Sequence, residues 1–443
     1  MPLPDDRAEQ PVDRRLLPVV IDRLADEPVI LLEGPRTVGK STLLRQVAQL
    51  TGGTIIDADD PATAAALADD PATMIDRQGP VLVDEYQRAP VVLDAIKAKL
   101  NRSPTRAGQF VLAGSSRHSS LPQAAQALTG RLHVMPVMPL AQAEITGGAG
   151  LVSRLFDRGQ AAAQGVVSQT TREDYISRIV AGGLPLARRR HEAARRRWFD
   201  DYVRLTLERD VAELRKIRQA RALPKVLHGL AGLTGQLLNV TALARRLGLD
   251  DDTVHGYLRL LEAVFLVHTL PGWGKTLTNR TMATPKIHVL DSGVAARLLR
   301  LSTDKLASRE PTALTELGHL LETFVAGELG KELSWLDGIA EAGHWRTYDG
   351  DEVDLVVERD DGIVIGVEVK AGTRVTGDAF TSLRRLRRRL GASFGLGVVL
   401  HLGERGFRHD DRLIALPVDQ LWAAAPDSSR PAQTDGRVTR APD

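Results

Sequence analysis

Short apolar runs alternate with helical patterns over the first third of the chain. The runs are PVILLEG (28–34), TIIDAD (54–59), PVLVDE (80–85), QFVLAGSS (109–116) and HVMPVM (133–138). Apolar runs of this length between helices are typical of buried parallel strands in a βαβ sheet. The pattern therefore predicts a three-layer α/β domain with a parallel sheet over residues 1–145.

The alternation stops at residues 145–165, where a composition rich in Gly and Ala predicts a flexible insert or linker. Residues 170–265 are mostly helical in pattern and rich in arginine. We assign a helical middle domain to residues 166–310. Within it, residues 239–267 resemble a helix-turn-helix.

The first helix of this motif is predicted to end at Gly248, and Asp251 or Asp252 can cap the second helix. A strand-like run follows at 265–270 and indicates a winged helix, which could bind DNA. The alternative is a packing module that joins the flanking domains. The second helix carries three acids and one arginine, which is a poor charge for a phosphate surface. Its predicted inward positions are Leu258, Leu261 and Val264.

A third domain is predicted over residues 311–424, where a helix at 313–335 is followed by strands and hairpins at 342–399. The last segment, 425–443, has almost nothing to bury and is predicted to be disordered.

Composition narrows the classes of function. The chain is 43% hydrophobic and 26% charged with a net charge of +2, which argues against a protein that coats nucleic acid by bulk charge. The absence of cysteine excludes disulfides, thiolate metal sites and cysteine nucleophiles. No apolar run of about 18 residues occurs, and the N-terminus does not resemble a signal peptide. We therefore expect a cytoplasmic protein without a membrane partner.

The strongest motif is GPRTVGKS at 34–41, a full match to the phosphate-binding loop, with a strand before it and a helix after it. Backbone N–H groups of such a loop curl around phosphate at a helix N-terminus. Lys40 is predicted to reach the β- and γ-phosphates of ATP, and the Ser41 hydroxyl to hold Mg²⁺. The predicted nucleotide-binding residues are Gly34, Pro35, Arg36, Thr37, Val38, Gly39, Lys40, Ser41 and Thr42.

A second motif supports the first. The buried run PVLV ends in Asp84 and Glu85. Asp84 fits the carboxylate that holds the Mg²⁺ shell, and Glu85 fits a base that orients the attacking water.

The chain resembles the AAA-type ATPases of bacteria and archaea that carry a C-terminal domain of unknown function. The resemblance rests on GPRTVGKST, VDEYQRAP, VLAGSSR and LTGRLHVMPVMPLAQAE, and it continues through AGGLP, KIHVLDSGVAARLL, GHLLETFVAGEL, GDEVDLVV and VEVKAG. It implies an ATP-binding core. By position, Ser115 or Ser116 resembles a sensor of the γ-phosphate. Arg131 resembles an arginine finger that acts on a neighbouring subunit, which would imply a homo-oligomer.

The C-terminal region contains a second candidate site. Counting outward from the RDDG turn places Asp354 nearly opposite Glu368, and Lys370 lies on the same strand face as Glu368. With Glu322 from the preceding helix, these residues resemble a PD-(D/E)XK nuclease site, where carboxylates bind Mg²⁺ or Mn²⁺. Two alternatives to an active nuclease site remain. The residues could form a structural ion pair on a sheet face, or the domain could be nuclease-like but inactive and retained only for binding.

Together these features predict Mg²⁺-dependent ATP binding and hydrolysis coupled to a partner, with nucleic acid as one candidate. The alternatives are an ATP-gated DNA-binding regulator with little turnover and an ATP-regulated, metal-dependent nuclease. Basic runs could contact phosphates, although a solvated helix face also explains them; they lie at 188–190, 195–197, 384–385 and 387–389.

Overall fold

The computed structural model describes residues 12–102, 106–120, 128–211, 222–274, 284–308 and 310–424. The predicted disordered tail at 425–443 lies outside the described residues.

The N-terminal domain contains a parallel sheet of five strands in the order β2-β3-β4-β1-β5. The strands are β1 (Val29–Glu33), β2 (Thr54–Asp57), β3 (Val81–Asp84), β4 (Phe110–Gly114) and β5 (Leu132–Pro136). The helices around it are α1 (Leu16–Arg23), α2 (Lys40–Thr51), α3 (Pro61–Asp69), α4 (Pro71–Met74) and α5 (Val92–Arg102). The predicted α/β sheet domain is therefore confirmed.

The central strands are buried on both faces, so they contain apolar residues at consecutive positions rather than at alternate ones. Val29 pairs with both Phe110 and Leu132, so the carboxyl ends of β1, β4 and β5 lie at one edge. Such an edge is where open α/β sheets bind ligands.

The middle domain is helical with one small antiparallel sheet, ordered β6-β8-β7. Two helices precede this domain, α6 (Gln142–Thr146) and α7 (Val152–Arg158). Its own helices are α8 (Arg172–Ala181), α9 (Pro185–Arg188), α10 (Glu192–Leu205), α11 (Leu223–Ala231), α12 (Val240–Leu247), α13 (Asp251–Ala263), α14 (Ser292–Leu298) and α15 (Thr303–Ala307). Its strands are β6 (Gln236–Leu237), β7 (Val267–Leu270) and β8 (Lys286–Val289).

The helix pair predicted at 239–267 is present as α12 and α13, but the predicted cap of α13 is wrong. Asp250 is the N-cap, because its backbone is extended and its carboxylate accepts a 2.7 Å hydrogen bond from the N–H of Thr253. Asp251 and Asp252 already lie in the first helical turn. The predicted inward face is confirmed by burial of Leu258, Leu261 and Val264.

The flexible linker predicted at 145–165 is wrong. Residues of α7 belong to the buried core, and both oxygens of Glu332 accept hydrogen bonds of 2.8 Å from the N–H groups of Leu151 and Val152. A Cβ on Gly148 would approach the carbonyl oxygen of Trp422 to 2.1 Å. Gly148 therefore permits close packing of the backbone at this point.

The C-terminal domain is a mixed six-stranded sheet, ordered β13-β14-β12-β11-β10-β9, with a long helix before it. The helices are α16 (Pro311–Leu333) and α17 (Thr381–Leu390). The strands are β9 (Ile339–Arg346), β10 (Glu352–Arg359), β11 (Val364–Lys370), β12 (Phe394–His401), β13 (Phe407–Asp410) and β14 (Leu413–Pro417).

Short helices of other types join these elements. The 3-10 helices are Tyr86–Arg88, His118–Ser120, Gly159–Ala163, Gly377–Phe380, Gly391–Ser393 and Val418–Leu421, and Thr206–Asp210 is a π-helix.

One apolar core extends from the middle domain into the C-terminal sheet. It includes Leu266 of the segment before β7, Phe324 of α16 and Val367 of β11. The predicted boundary at residues 310 and 311 thus lies along a continuous core. Within the part of the chain that the structure describes, no helix has the length and apolar character needed to cross a membrane.

Candidate functional site

The phosphate-binding loop connects β1 to α2 at the carboxyl edge of the parallel sheet. Gly39 caps α2 with φ 104°, a conformation that favours glycine. A Cβ on Gly34 would lie 2.2 Å from the carbonyl oxygen of Val137, so this position also requires glycine. Lys40 is buried, and its Nζ donates hydrogen bonds of 2.8 Å to the carbonyl oxygens of Gly34 and Pro35. The ammonium group is therefore held within the loop.

Asp84 and Ser41 meet beside this loop and fit a Mg²⁺ ion. Asp84 ends β3, is buried, and forms a side-chain hydrogen bond with Ser41. Burial raises the pKa of Asp84 above its usual value, while the hydrogen bond with Ser41 opposes this shift. Carboxylate and hydroxyl oxygens are the hard ligands that Mg²⁺ prefers.

Glu85 follows Asp84 in a left-handed backbone conformation, with φ 49° and ψ 44°. Such a conformation is uncommon for a residue other than glycine and occurs often at functional sites. Its Oε2 accepts a 3.0 Å hydrogen bond from the hydroxyl of Ser115, at the end of β4. Gln87 donates through Nε2 to both Glu85 and Ser115.

The sequence left Ser115 and Ser116 as alternatives, and the structure places only the first beside Glu85. The Ser116 hydroxyl is buried and has no hydrogen-bond partner among the described residues.

A cavity of about 850 Å³ surrounds the phosphate-binding loop and is lined by both domains. Arg36, Thr37, Lys40 and Ser41 contribute from the loop. The middle domain contributes Pro185, Leu186, Arg188 and Arg189 to the lining. The basic run at 188–190 therefore contributes to the wall of the candidate nucleotide site.

Arg188 is a desolvated cation in this wall. Burial lowers its pKa, the nearby Arg178 lowers it further, and Asp291 opposes the shift. Its guanidinium donates a 3.1 Å hydrogen bond to the carbonyl oxygen of Gly182. Since buried cations are stabilised by anions, a phosphate in the cavity would find a favourable partner here.

Arg131 lies away from this cavity. It precedes β5 at the amino edge of the sheet, and its guanidinium donates a 2.7 Å hydrogen bond to Asn101 of α5. Because the phosphate-binding loop follows the opposite ends of the strands, Arg131 cannot contact the nucleotide of its own chain.

The residues of the C-terminal candidate site come together around an unexpected cation. The register pairs Leu355 with Val367, which places Asp354 opposite Glu368 as predicted. Lys370 Nζ donates a 2.6 Å hydrogen bond to Glu368. Lys286 of β8 lies among the carboxylates and contacts Glu322 at 2.7 Å, Glu352 at 2.5 Å and Asp354 at 3.0 Å.

With the ammonium group of Lys286 in place, this arrangement does not fit a metal site. Within the described residues, no group of three or more His, Asp or Glu side chains is placed to hold a metal ion. The ammonium group of Lys286 lies where an ion would contact these carboxylates.

The C-terminal basic run forms ion pairs within the chain. Arg385 pairs with Asp351, and Arg387 with Asp410. Part of the positive charge on α17 is therefore neutralised by aspartates of the same chain, without a nucleic-acid partner.

Sequence reasoning missed Arg14 and Lys286 and did not assign Arg188 to the nucleotide site. Lys286 begins the apolar strand KIHV, and lysine is scarce, because only ten of the 58 basic residues are lysines. That scarcity was the available signal. Arg14 also lines the cavity and pairs with Glu144 at 3.3 Å, but no motif marks it.

The parallel sheet, the phosphate-binding loop and the paired carboxylates together form a P-loop fold in the N-terminal third of the chain. The model of an AAA domain matches residues 26–146, in agreement with this class. Two further models match, each described as a domain of unknown function: DUF8612 over residues 172–305 and DUF4143 over residues 317–421.

Two mycobacterial proteins are similar to this chain over most of its length. The uncharacterized proteins Rv2008c of Mycobacterium tuberculosis and Mb2031c of Mycobacterium bovis are each 29% identical over 399 residues, which is 89% of this chain and 81% of theirs.

Two solved structures illustrate the structural similarity. The Walker-type ATPase PABY2304 of Pyrococcus abyssi has a TM-score of 0.42 and 15% identity, over 67% of this chain and 98% of its own. DnaA from Aquifex aeolicus, bound to AMPPCP, has a TM-score of 0.25 and 17% identity, over 55% of this chain and 86% of its own.

Proposed function

We propose that this protein hydrolyses ATP with the help of Mg²⁺. The proposal rests on one observation: Asp84 is hydrogen-bonded to Ser41, and Glu85 to Ser115, at the sheet edge that carries the phosphate-binding loop. A candidate metal-binding pair and a candidate general base therefore lie side by side, next to the loop that we expect to bind the phosphates.

The loop and the middle domain would bind the phosphates together. The backbone N–H groups at the start of α2 and the ammonium of Lys40 offer positive charge from one side. Arg188 offers a guanidinium from the other side. Mg²⁺, held by Ser41 and Asp84, would neutralise negative charge on the phosphates.

Glu85 is the candidate general base. Its carboxylate would accept a proton from the attacking water, and the hydrogen bond from Ser115 would hold it in position. The product of the step is phosphate, with ADP as the leaving group.

The apolar residues that line the cavity would contact the adenine ring of the nucleotide. Val12, Leu140 and Ile145 line the cavity together with Pro185 and Leu186. Because the last two precede Arg188 on the middle domain, a bound nucleotide would contact both domains. We therefore propose that ATP binding and hydrolysis change how the middle domain sits on the N-terminal domain.

Phosphate release from ATP tests the proposal in three variants of the full chain. Lys40→Ala should abolish both ATP binding and release. Glu85→Gln should retain ATP binding and lower the rate by on the order of 10² or more, because the base is lost. Lys97→Ala, an exposed lysine on α5, should behave like the wild type. Unchanged phosphate release in both site variants would refute the proposal.

A further inference from the structure

A lysine of the middle domain fills the carboxylate cluster of the C-terminal domain. The Lys286 side chain is only 1% exposed, and its Nζ contacts Glu322, Glu352 and Asp354. An ammonium group has three N–H donors, so three carboxylate partners use its full hydrogen-bonding capacity.

We propose that Lys286 is the resident cation of this cluster and excludes divalent metal ions from it while β8 is docked on α16. Mg²⁺ binds carboxylate oxygens at about 2.0–2.1 Å and with near-octahedral geometry. An ion among these carboxylates would compete with Nζ for the same oxygens, and two cations at such short range would repel each other. The ammonium group and a metal ion therefore cannot share the cluster.

The fold holds Lys286 in this position. Lys286 and His288 are two residues apart on β8, so they lie on the same face of the strand. His288 Nδ1 lies 3.3 Å from the Thr323 hydroxyl on α16, next to Glu322. Thr323 also forms a 2.9 Å hydrogen bond with Thr234. Removing the ammonium from the cluster would require β8 to move away from α16.

The cluster retains capacity for more positive charge than Lys286 supplies. Glu368 is 8% exposed, and its Oε2 is buried without a hydrogen-bond partner among the described residues. A divalent ion would favour the charged forms of the carboxylates in the cluster if the position of Nζ were free.

Lysine suits this role better than arginine. The ammonium group is a compact charge, whereas a guanidinium is planar and presents a fixed fork of donors. Burial opposes the charged form of Lys286, but Asp354, Glu322 and Glu352 outweigh this effect and raise its pKa. The lysine is therefore charged at neutral pH and fits among carboxylates that approach from two elements of the fold, α16 and β10.

Mn²⁺ binding without nucleotide tests the inference, because free Mn²⁺ gives an electron paramagnetic resonance signal. The wild-type chain should show no Mn²⁺ site that depends on Asp354. Lys286→Met should gain one Mn²⁺ per chain, and the double variant Lys286→Met with Asp354→Asn should lose it again. Lys305→Met removes a half-exposed lysine of α15 and should gain no site.

Thermal melting provides an independent measurement. Mn²⁺ should raise the Tm of Lys286→Met in a concentration-dependent manner, since an ion that binds only the native state stabilises it. If Lys286→Met does not fold without metal, Lys286→Gln, which keeps a hydrogen-bond donor, is compared in the same titration. A wild-type Mn²⁺ site that Asp354→Asn removes would overturn the inference. So would folded Lys286 variants that gain no site. Neither result depends on ATP hydrolysis.

Discussion

The hydroxyl group of Ser115 donates a hydrogen bond of 3.0 Å to Oε2 of Glu85. The two residues follow β4 and β3, which are neighbours in the parallel sheet. Gln87 donates to both of them, so three side chains form one connected set. The candidate base is therefore oriented by the protein itself, which reduces the reorganisation needed when a nucleotide binds.

Ser115→Ala should lower the rate of ATP hydrolysis about tenfold, because loss of one hydrogen bond to a charged group costs about 1.5 kcal/mol or more. The affinity for ATP should stay within about threefold of wild type, since Ser115 orients the base rather than binding the phosphates. Phosphate release and nucleotide-binding titrations measure the two quantities.

Ser116→Ala is the matched control, because the Ser116 hydroxyl has no hydrogen-bond partner among the described residues. Its rate should match that of the wild type. A larger loss in Ser116→Ala than in Ser115→Ala would assign the sensor role to the other serine.

Arg188→Ala should lower kcat by on the order of 10² while changing the affinity for ADP only slightly. The reason is our proposal that Arg188, which lines the cavity opposite the loop, contacts the terminal phosphate, where charge is redistributed in the transition state. Steady-state ATP hydrolysis and an ADP titration separate the two effects. Arg197→Ala removes an exposed arginine of α10 and should leave both unchanged. Equal losses of ATP and ADP affinity without a change in kcat would contradict this role.

Glu332→Gln should destabilise the fold by about 1–3 kcal/mol, because an amide nitrogen would replace one of two buried acceptors. Both carboxylate oxygens accept N–H groups at the start of α7. The midpoint of urea unfolding should therefore fall without a change in the m-value. Glu173→Gln, at an exposed position of α8, should shift the midpoint little. Equal midpoints in both variants would show that this contact does not stabilise the segment.

Acid should destabilise the middle domain through the half-buried His268 and the buried His288. Burial and, to a smaller extent, the positive charge of Arg117 lower the pKa of His268 to about 4. Burial is the main reason that the pKa of His288 lies well below its usual value, and the charges of His268, Lys286 and His344 lower it further. The unfolded chain therefore binds protons that the native chain does not as the pH falls below about 6.5.

Stability should be fully present above pH ~6.5 and lost as the pH falls towards 4, by about 1.4 kcal/mol per pH unit for each such histidine. Urea unfolding at pH 7.5 and pH 5 measures this difference. His288→Gln should reduce it, whereas His191→Gln, at an exposed position, should not. An unchanged difference in His288→Gln would exclude this histidine as a source of acid lability.

The sequence predicted the N-terminal fold well because its signals are local. Strands buried on both faces contain consecutive apolar residues, and the phosphate-binding loop has a fixed spacing from β1 to α2. The hairpin that places Asp354 opposite Glu368 was predictable for the same reason, since a tight turn determines the register.

Two predictions from the sequence were wrong. In both places the structure depends on contacts or backbone conformations that the local sequence pattern does not reveal. Residues 145–165 have the composition of a linker, yet Glu332 of α16 and Trp422 pack against them. The cap of α13 was predicted one or two residues too late, because three consecutive aspartates offer the same chemistry and only the backbone conformation distinguishes them.

By itself, the sequence determined the five-stranded α/β domain. It also placed Lys40 in the phosphate-binding loop and Asp84 and Glu85 at the end of a buried strand, since these positions depend on short-range spacing. Only the tertiary structure decided which serine meets Glu85, that Arg188 reaches the nucleotide cavity, and that Lys286 enters the carboxylate cluster. Each of these depends on how distant segments pack. Pairwise contacts between residues far apart in the chain leave no spacing pattern that one sequence can reveal.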